Sequence, residues 1–596
     1  MWAAEWTINM KRIKNTICIG IAFALLLVTV SCSRKVPAPD FVRERGLAGG
    51  NYNIIFITTD QERYFDEYPE GSDYKARQRL EDLGTTFEKH YICSNVSSPS
   101  RTVMYTGRHI PETGVHDNID FALLQSPMND VKTIGHMMRE LNYYTAFKGK
   151  SHFVNFTTGF NPMNPNSAMF ADGADRGPPP QMQDALEPFG FSDWNPDGDY
   201  GGEINQGYTT DPVITSTSIQ WLRSTGAIVN EEDQPFFLAI NLINPHDIMY
   251  GAVGEQVNDE IQTGFPITGP PDTGLYAKTY PNVPLPPGCL EAHSRENLPA
   301  SYFEFISVSD RAFGPAPATG EDWRKYQDFY FNTIQDNDNN LLLILDELEN
   351  LGMMTNTIII FTSDHGEMHG AHNLRGKGGF IYDYNLNVPL VIVHPEYEGG
   401  QRVKSVTSHF DLVPTFVDFT SASDAEKTRV LGGVRGHSLV PLLKDPATSV
   451  RDGALFIFSS LTMTDSGGGV SRMTCADGEE RIVYRLDMSK RGMARTVIGE
   501  RYKFARYFAP NNFHMPATYE ELISNNDLEL YDLHTDPDEM INLASPANRE
   551  ANKELIIQLN DKLNRLIIDE FDRDDGREFD NMPQYGGFDA MLAGDY

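Results

Sequence analysis

Two aspartates far apart in the chain close two apolar runs: Asp60 ends "NIIFITTD" (53–60) and Asp364 ends "TIIIFTSD" (357–364). Each is followed by another donor, Gln61 and His365. Brought to one point, these oxygens and the imidazole suit a hard divalent cation. Kept apart, strand-end aspartates simply cap the helices that follow. "SSPSRTVMYTGR" (97–108) sets Ser97 just ahead of Pro99 and Arg101. Such a segment can be a turn that opens a helix, or it can hold a nucleophile at a helix N-terminus, where backbone N–H groups favour an anion. Cations come from three further places: "FKGKSH" supplies Lys150 and His152, "NPHD" supplies His246, and "LRGKGGF" supplies Lys377. Alone, a loop lysine is a solvated charge and a single histidine a satisfied one. Here each follows a strand-like run, at what would be the same edge of one sheet.

Positioning them requires that the runs form that sheet. "NIIFITTD" reads as a buried parallel strand, as do 143–149, 235–243, 357–364 and "VPLVIV" at 388–393. Helical periods fall between them at 73–90, 131–142, 212–224 and 322–350. Strands alternating with helices predict an α/β fold, a large mostly parallel sheet sandwiched by helices. Ligands in such folds bind beyond the carboxyl ends of the strands, where the chemical residues lie. Residues 155–209 and 250–300, rich in Gly, Pro, Asn and Asp, read as long irregular segments that either line a binding site or are disordered. After about residue 452 short strands, turns and a helix at 549–568 predict a smaller α+β domain, and the acidic end of the chain reads as solvated. No internal repeat is evident.

The net charge of −34 argues against nucleic acid as a partner. It also means that any anion site is built locally from a few Lys, Arg, His or a metal, since charge repulsion is screened beyond ~8 Å. "MKRIKNTICIGIAFALLLVTVSC" (10–32), with a basic start and an apolar run, has the layout of a secretory signal; a single membrane-spanning anchor is the other reading of that length. Cys32 resembles the acylated cysteine of bacterial lipoproteins, although Thr29 stands where Leu is usual. The resemblance implies export to the periplasm or outer membrane, with membrane contact only through a lipid anchor. The cysteines that remain, Cys93, Cys289 and Cys475, imply no disulfide framework and at most one pair.

Taken together and in order, these segments resemble the formylglycine-dependent sulfatases of the alkaline phosphatase superfamily, in their serine-type form. "SSPSRTVMYTGR" fits the family signature with Ser97 as the residue to be converted, "GKSH" resembles the family's "GKWH", and "SDHGEMHGAHNLRGKGGF" resembles its second metal segment and lysine. "SHFDLVPTFVDF" (408–419), "RTVIGERYKFARYF" and "ELYDLHTDPDEMINLA" match weaker landmarks, so the likeness runs from about Asn53 to Ala544. Together with the N-terminal layout and the change of pattern near residue 452, it gives a signal peptide over 1–32, a tether over 33–51, a catalytic α/β domain over 52–452 and a C-terminal subdomain over 453–596. It also implies that Ser97 is oxidised to an aldehyde whose hydrate attacks sulfur and then expels sulfate, an escape that plain serine lacks. Arg101 and His152 would hold the hydrate, Lys150, His246 and Lys377 would bind sulfate oxygens, and His246 or Lys377 would protonate the leaving oxygen. Asp60, Gln61, Asp364, His365 and the converted side chain of Ser97 would hold Ca²⁺, with Mn²⁺ as the alternative.

Departures from the family pattern matter. Serine at 97 implies a radical-SAM serine-type maturase as a partner, and Cys93 is no substitute, because no proline follows it at the required spacing. Gln61 in place of a second aspartate, with His365, resembles the choline-sulfatase and phosphonate-monoester-hydrolase branch. The expected substrate is a sulfated small molecule or glycan. A phosphodiester or phosphonate monoester hydrolase with the same site, and an inactive glycan-binding lipoprotein, are the alternatives. His116, Asp117 and Asn118 follow the nucleophile segment closely enough to meet a substrate.

Overall fold

A computed structural model describes residues 51–119, 131–153, 184–195, 203–254, 263–474 and 480–580. The signal, the tether through residue 50, Cys32 and Cys475 lie outside the described residues, as does most of 155–209. Strands β1 (Asn53–Asp60), β2 (Thr85–Phe87), β3 (Tyr144–Gly149), β4 (Ser192–Asn195), β5 (Phe236–Pro245), β6 (Thr357–Ser363), β7 (Leu390–Val393) and β8 (Gln401–Val403) form one sheet. Their spatial order is β4-β3-β5-β1-β6-β7-β2-β8. β1 lies at its centre, parallel to β5 on one side and to β6 on the other.

Every residue of β1 is buried, as its unbroken apolar run requires of a strand covered on both faces. Alternation divides its side chains between two cores. Ile54 and Phe56 pack with Met104 and Tyr105 of α2 (Ser97–Thr106), with Met137 of α3 (Ile134–Glu140) and with Phe416 of α6 (Leu412–Asp418). Ile55 and Ile57 face the other way, toward Leu80 of α1 (Lys75–Leu83), Ile214 of α4 (Gln206–Trp221) and Leu341 and Leu345 of α5 (Gly320–Asn350). The sheet is thus sandwiched by helices, as expected.

Three local expectations are corrected. The helical period at 73–90 stops at Leu83, because the β-branched pair Thr85-Thr86 is drawn into the sheet between β7 and β8. The run at 388–393 is a strand, but β7 lies antiparallel to β6 rather than parallel; an apolar run reports burial on both faces, not direction. Irregular 155–209 contains β4 and the first turn of α4, which begins at Gln206.

Beyond residue 452 a second, antiparallel sheet is built from β9 (Ala454–Phe458), β10 (Met493–Ile498), β11 (Tyr502–Phe508) and β12 (Asp527–Asp532), with α7 (Lys553–Phe571) packed on it. Its inner face shares a core with the segment around α2: Cys93, Val103 and Ile110 pack with Leu455, Ile457 and Val497. Among the described residues no helix is long and apolar enough to cross a membrane.

Candidate active site

The register of the central strands decides where the site forms. β1 and β6 run in parallel with Thr59 opposite Ser363, so the residues that follow, Asp60 and Asp364, emerge side by side at the carboxyl edge. The Gln61 N–H donates to Asp364 Oδ1 at 3.2 Å, locking the two strand ends together. β3 ends at the same edge on Gly149, whose φ of +81° turns the chain sharply into Lys150. β5 ends on Asn244-Pro245 and hands over to His246.

Ser97 is the first residue of α2. Pro99 falls in the first turn, where its missing N–H leaves no hydrogen bond unmade. Gly107 ends the helix in the left-handed conformation, donating to the Val103 carbonyl. "SSPSRTVMYTGR" therefore opens a helix, with Ser97 at its first position.

A single network joins these pieces. Ser97 Oγ lies 3.0 Å from His365 Nε2, and Lys377 Nζ reaches both, at 3.0 Å from the hydroxyl and 2.9 Å from the imidazole. Lys150 Nζ pairs with Asp60 Oδ2 at 2.9 Å. Arg101 spans both carboxylates, from Nη2 to Asp60 Oδ2 at 3.1 Å and from Nε to Asp364 Oδ2 at 2.9 Å. Its remaining N–H groups reach the Lys150 carbonyl and Asn241 Oδ1. The Arg101 guanidinium is wholly buried and acts as the brace that fixes two strand ends against α2.

Electrostatics follows from that crowding. Burial would raise the Asp60 carboxyl, but the surrounding charges of Lys150, His246, Lys377 and Arg101 hold it well below the usual range. Burial and the neighbouring Asp60 charge push Asp364 up. Burial, reinforced by nearby lysines, holds both His365 and His246 neutral. Burial also pulls the Lys377 amine down to about 8.

The donor set fits a divalent cation. His365 Nδ1 sits 3.0 Å from the Gly366 carbonyl. That bond favours the proton on Nδ1 and makes Nε2 the acceptor, which here faces Ser97 Oγ and Lys377 Nζ and could instead ligate an ion. Nε2 lies 3.5 Å from Asp60 Oδ1 and 3.6 Å from Asp364 Oδ1. Asp60 Oδ1 and Gln61 Oε1 are buried oxygens with no hydrogen-bond partner, the kind of orphan that calls for an ion. Asp60, Asp364 and His365 can each present a ligand atom to one point. Predominantly oxygen donors with one imidazole fit Ca²⁺ or Mn²⁺.

The other expected residues lie close to this network. His152 is buried with φ +49°, just past Lys150. His116 and Asp117 are buried, and Asn118 is half-buried. Asp117 Oδ2 accepts from Ser460 and Thr462, and Asn118 Oδ1 accepts from the Ser98 N–H, so this segment ties the start of α2 to residues 460–462. Cys93 is a buried free thiol pushed up to about 12 by burial, and Cys289 is free as well; a thiol so protonated is inert. Sequence reading passed over Ser100, whose hydroxyl donates to the Asp364 carbonyl at 2.5 Å, and Glu367, which accepts from Gln61. The only signal for Glu367 is a carboxylate three residues past Asp364 in a buried loop.

Residues 52–422 match the family model described as Sulfatase. The chain is 24% identical over 446 residues to an N-acetylglucosamine-6-O-sulfatase of Bacteroides thetaiotaomicron, covering 67% of this chain and 72% of that protein. Among solved structures, one determined with its substrate D-glucosamine-2-N,6-O-disulfate aligns at a TM-score of 0.54 and 19% identity, over 87% of this chain and 99% of the other. The phosphonate monoester hydrolase of Silicibacter pomeroyi aligns at 0.58 and 19% identity, over 87% and 96%. At those identities the structural matches speak for a shared fold, whereas the family match covers most of the sequence. On that match, and with the motif residues gathered at one strand edge, this chain belongs to the sulfatase family of sulfuric ester hydrolases.

Proposed function

We propose that the protein hydrolyses a sulfate ester of a carbohydrate, with residue 97 converted to formylglycine and a calcium or manganese ion on Asp60, Gln61, Asp364 and His365. The observation that carries this reading is the meeting of Ser97 Oγ, His365 Nε2 and Lys377 Nζ within 3.0 Å of one another beside Asp60. When present, the cation and the hydrated aldehyde supply Lewis acidity and an oxygen nucleophile that can be regenerated, which a plain serine is not.

The rest belongs to the chain itself. Lys377 and His365 hold the side-chain oxygen of residue 97, and Arg101 keeps both carboxylates in place around it. Lys150, His152, His246 and Lys377 are 5–7% exposed, while Ser97, Asp60 and His365 are wholly covered. A sulfate group therefore meets this rim with its two lysines first, and fixed positive charge in a water-poor site stabilises its oxygens as the ester bond breaks. An amine near 8 suits Lys377 to protonate the departing alcohol at neutral pH, whereas His246, held neutral by burial, is left to bind a sulfate oxygen through its ring N–H.

The carbohydrate assignment draws support from the relative that acts on N-acetylglucosamine 6-sulfate by its name and from the solved structure holding a sulfated glucosamine. Serine at position 97 supports a radical-SAM serine-type maturase as partner. The signal-like N-terminus with Cys32 supports export and a lipid anchor in the periplasm or outer membrane.

Mass spectrometry of the peptide spanning Ser97 is expected to show loss of two hydrogens, and the matured protein is expected to release sulfate from defined sulfated sugars. An intact serine in the producing host would point instead to the inactive glycan binder. Gln61 in place of a second carboxylate, together with the fold shared with a phosphonate monoester hydrolase, favours phosphorus esters as the second reading. Side-by-side assay on an aryl sulfate and an aryl phosphodiester decides between them; a preference for the phosphorus ester by orders of magnitude would overturn the sulfatase assignment.

A further inference from the structure

Gln61 is the least obvious of the four donors, because an amide can present either its oxygen or its NH₂. Its neighbour decides which. Gln61 Nε2 donates to Glu367 Oε2 at 2.6 Å, and an ionised carboxylate accepts only. Glu367 is wholly buried, and its other oxygen, Oε1, accepts from the N–H of Gly376 at 2.7 Å, the N–H of His369 at 3.1 Å and the Tyr326 hydroxyl at 3.2 Å. Three donors thus fix the carboxylate from one side and leave Oε2 for Gln61. The Gln61 backbone is pinned as well, its N–H on Asp364 Oδ1 and its carbonyl accepting from the Tyr330 hydroxyl at 2.9 Å. Only the amide remains to turn, and its buried Oε1 has no hydrogen-bond partner.

We propose that Glu367 is a positioning residue: it holds the Gln61 amide so that the oxygen, not the NH₂, faces the Asp60–Asp364–His365 cluster, and in this way it sets cation affinity. The inference rests on the reading of that cluster as a cation site. A half-turn of the amide would point N–H groups at the cation and press an oxygen against the carboxylate, both repulsive. The bland account is that Glu367 merely ties down the 366–376 loop.

Glu367→Gln separates the two accounts. The substituted side chain keeps an oxygen for the three donors on the loop side and offers an NH₂ to Gln61, which then has to flip. Chelator-stripped protein would be titrated with Ca²⁺ by calorimetry and with Mn²⁺ by electron paramagnetic resonance, with the thermal midpoint of each stripped variant recorded. Affinity is expected to fall about 10- to 100-fold, the usual consequence of losing an outer-shell partner. In a Gln61→Ala background the same Glu367→Gln change is expected to cost less than about twofold, because the group through which it acts is gone. An equal loss in both backgrounds, or none in either, overturns the proposal. Should Glu367→Gln not fold, Glu367→Asp, which withdraws the acceptor but keeps its charge, runs the same cycle with the same criterion. Wild-type protein that binds neither ion overturns the cation reading itself and this inference with it, whereas binding without coupling to Gln61 overturns this inference alone.

Discussion

Arg101 shows how much of the site hangs on one side chain. It contacts Asp60, Asp364, Asn241 and the Lys150 carbonyl from a fully buried position. A lysine keeps the charge but loses the fork that reaches both carboxylates. Arg101→Lys is therefore expected to leave one carboxylate unpaired, at a cost of about 3–5 kcal/mol. Sulfate release by the matured enzyme should fall by about two orders of magnitude or more. Circular dichroism and steady-state kinetics on the same preparation check this; near-normal kcat/KM would show that Arg101 braces nothing that matters. The role was legible in sequence only as a motif position. That the guanidinium bridges two strand ends could not be read, because Asp60 and Asp364 lie 41 and 263 residues from Arg101 in the chain.

At the scale of elements, the strand ends act through their exits. Gly149 closes β3 with φ +81°, and a Cβ there would stand 2.1 Å from the Asn241 carbonyl oxygen of β5. Gly149→Ala combines left-handed strain with a clash against backbone, and is expected to destabilise the fold by about 1–3 kcal/mol or more. It should also displace Lys150, which pairs with Asp60. Denaturant unfolding together with activity checks this; an unchanged midpoint would mean that β3 and β5 part easily. Strands β1, β3, β5 and β6 were legible as apolar runs because both of their faces are buried. β2 and β8 were not, since strands of three residues carry too little pattern to stand apart from a helix end or a turn.

For the whole molecule, the second sheet shares a core with the segment around α2. Val103 of α2 and Ile110 pack with Leu455, Ile457 and Val497. Arg451 bridges Asp411 and Glu570, and His109 meets Glu570. A chain ending at residue 452 would strip apolar contacts from the very segment that carries Ser97. Such a truncation is expected to aggregate or to unfold without cooperativity, whereas the chain through residue 580 gives a single sharp transition. Differential scanning calorimetry of both decides, and a cooperative transition in the short form would show that the boundary near 452 separates independent units.

The sequence by itself determined the chemistry on offer and the layering: which residues could ligate, attack or carry charge, and that buried runs alternate with helices. These are local properties, set by side-chain type and by the periodicity that burial on two faces imposes. Only the tertiary structure decided that β1 and β6 lie side by side in a register that brings Asp60 to Asp364, that β7 runs antiparallel, that His365 turns Nε2 toward Ser97 and Lys377, and that Glu367 faces Gln61. Such facts depend on strand neighbours and on hydrogen bonds across hundreds of residues, and no local pattern encodes which distant partner a donor will find.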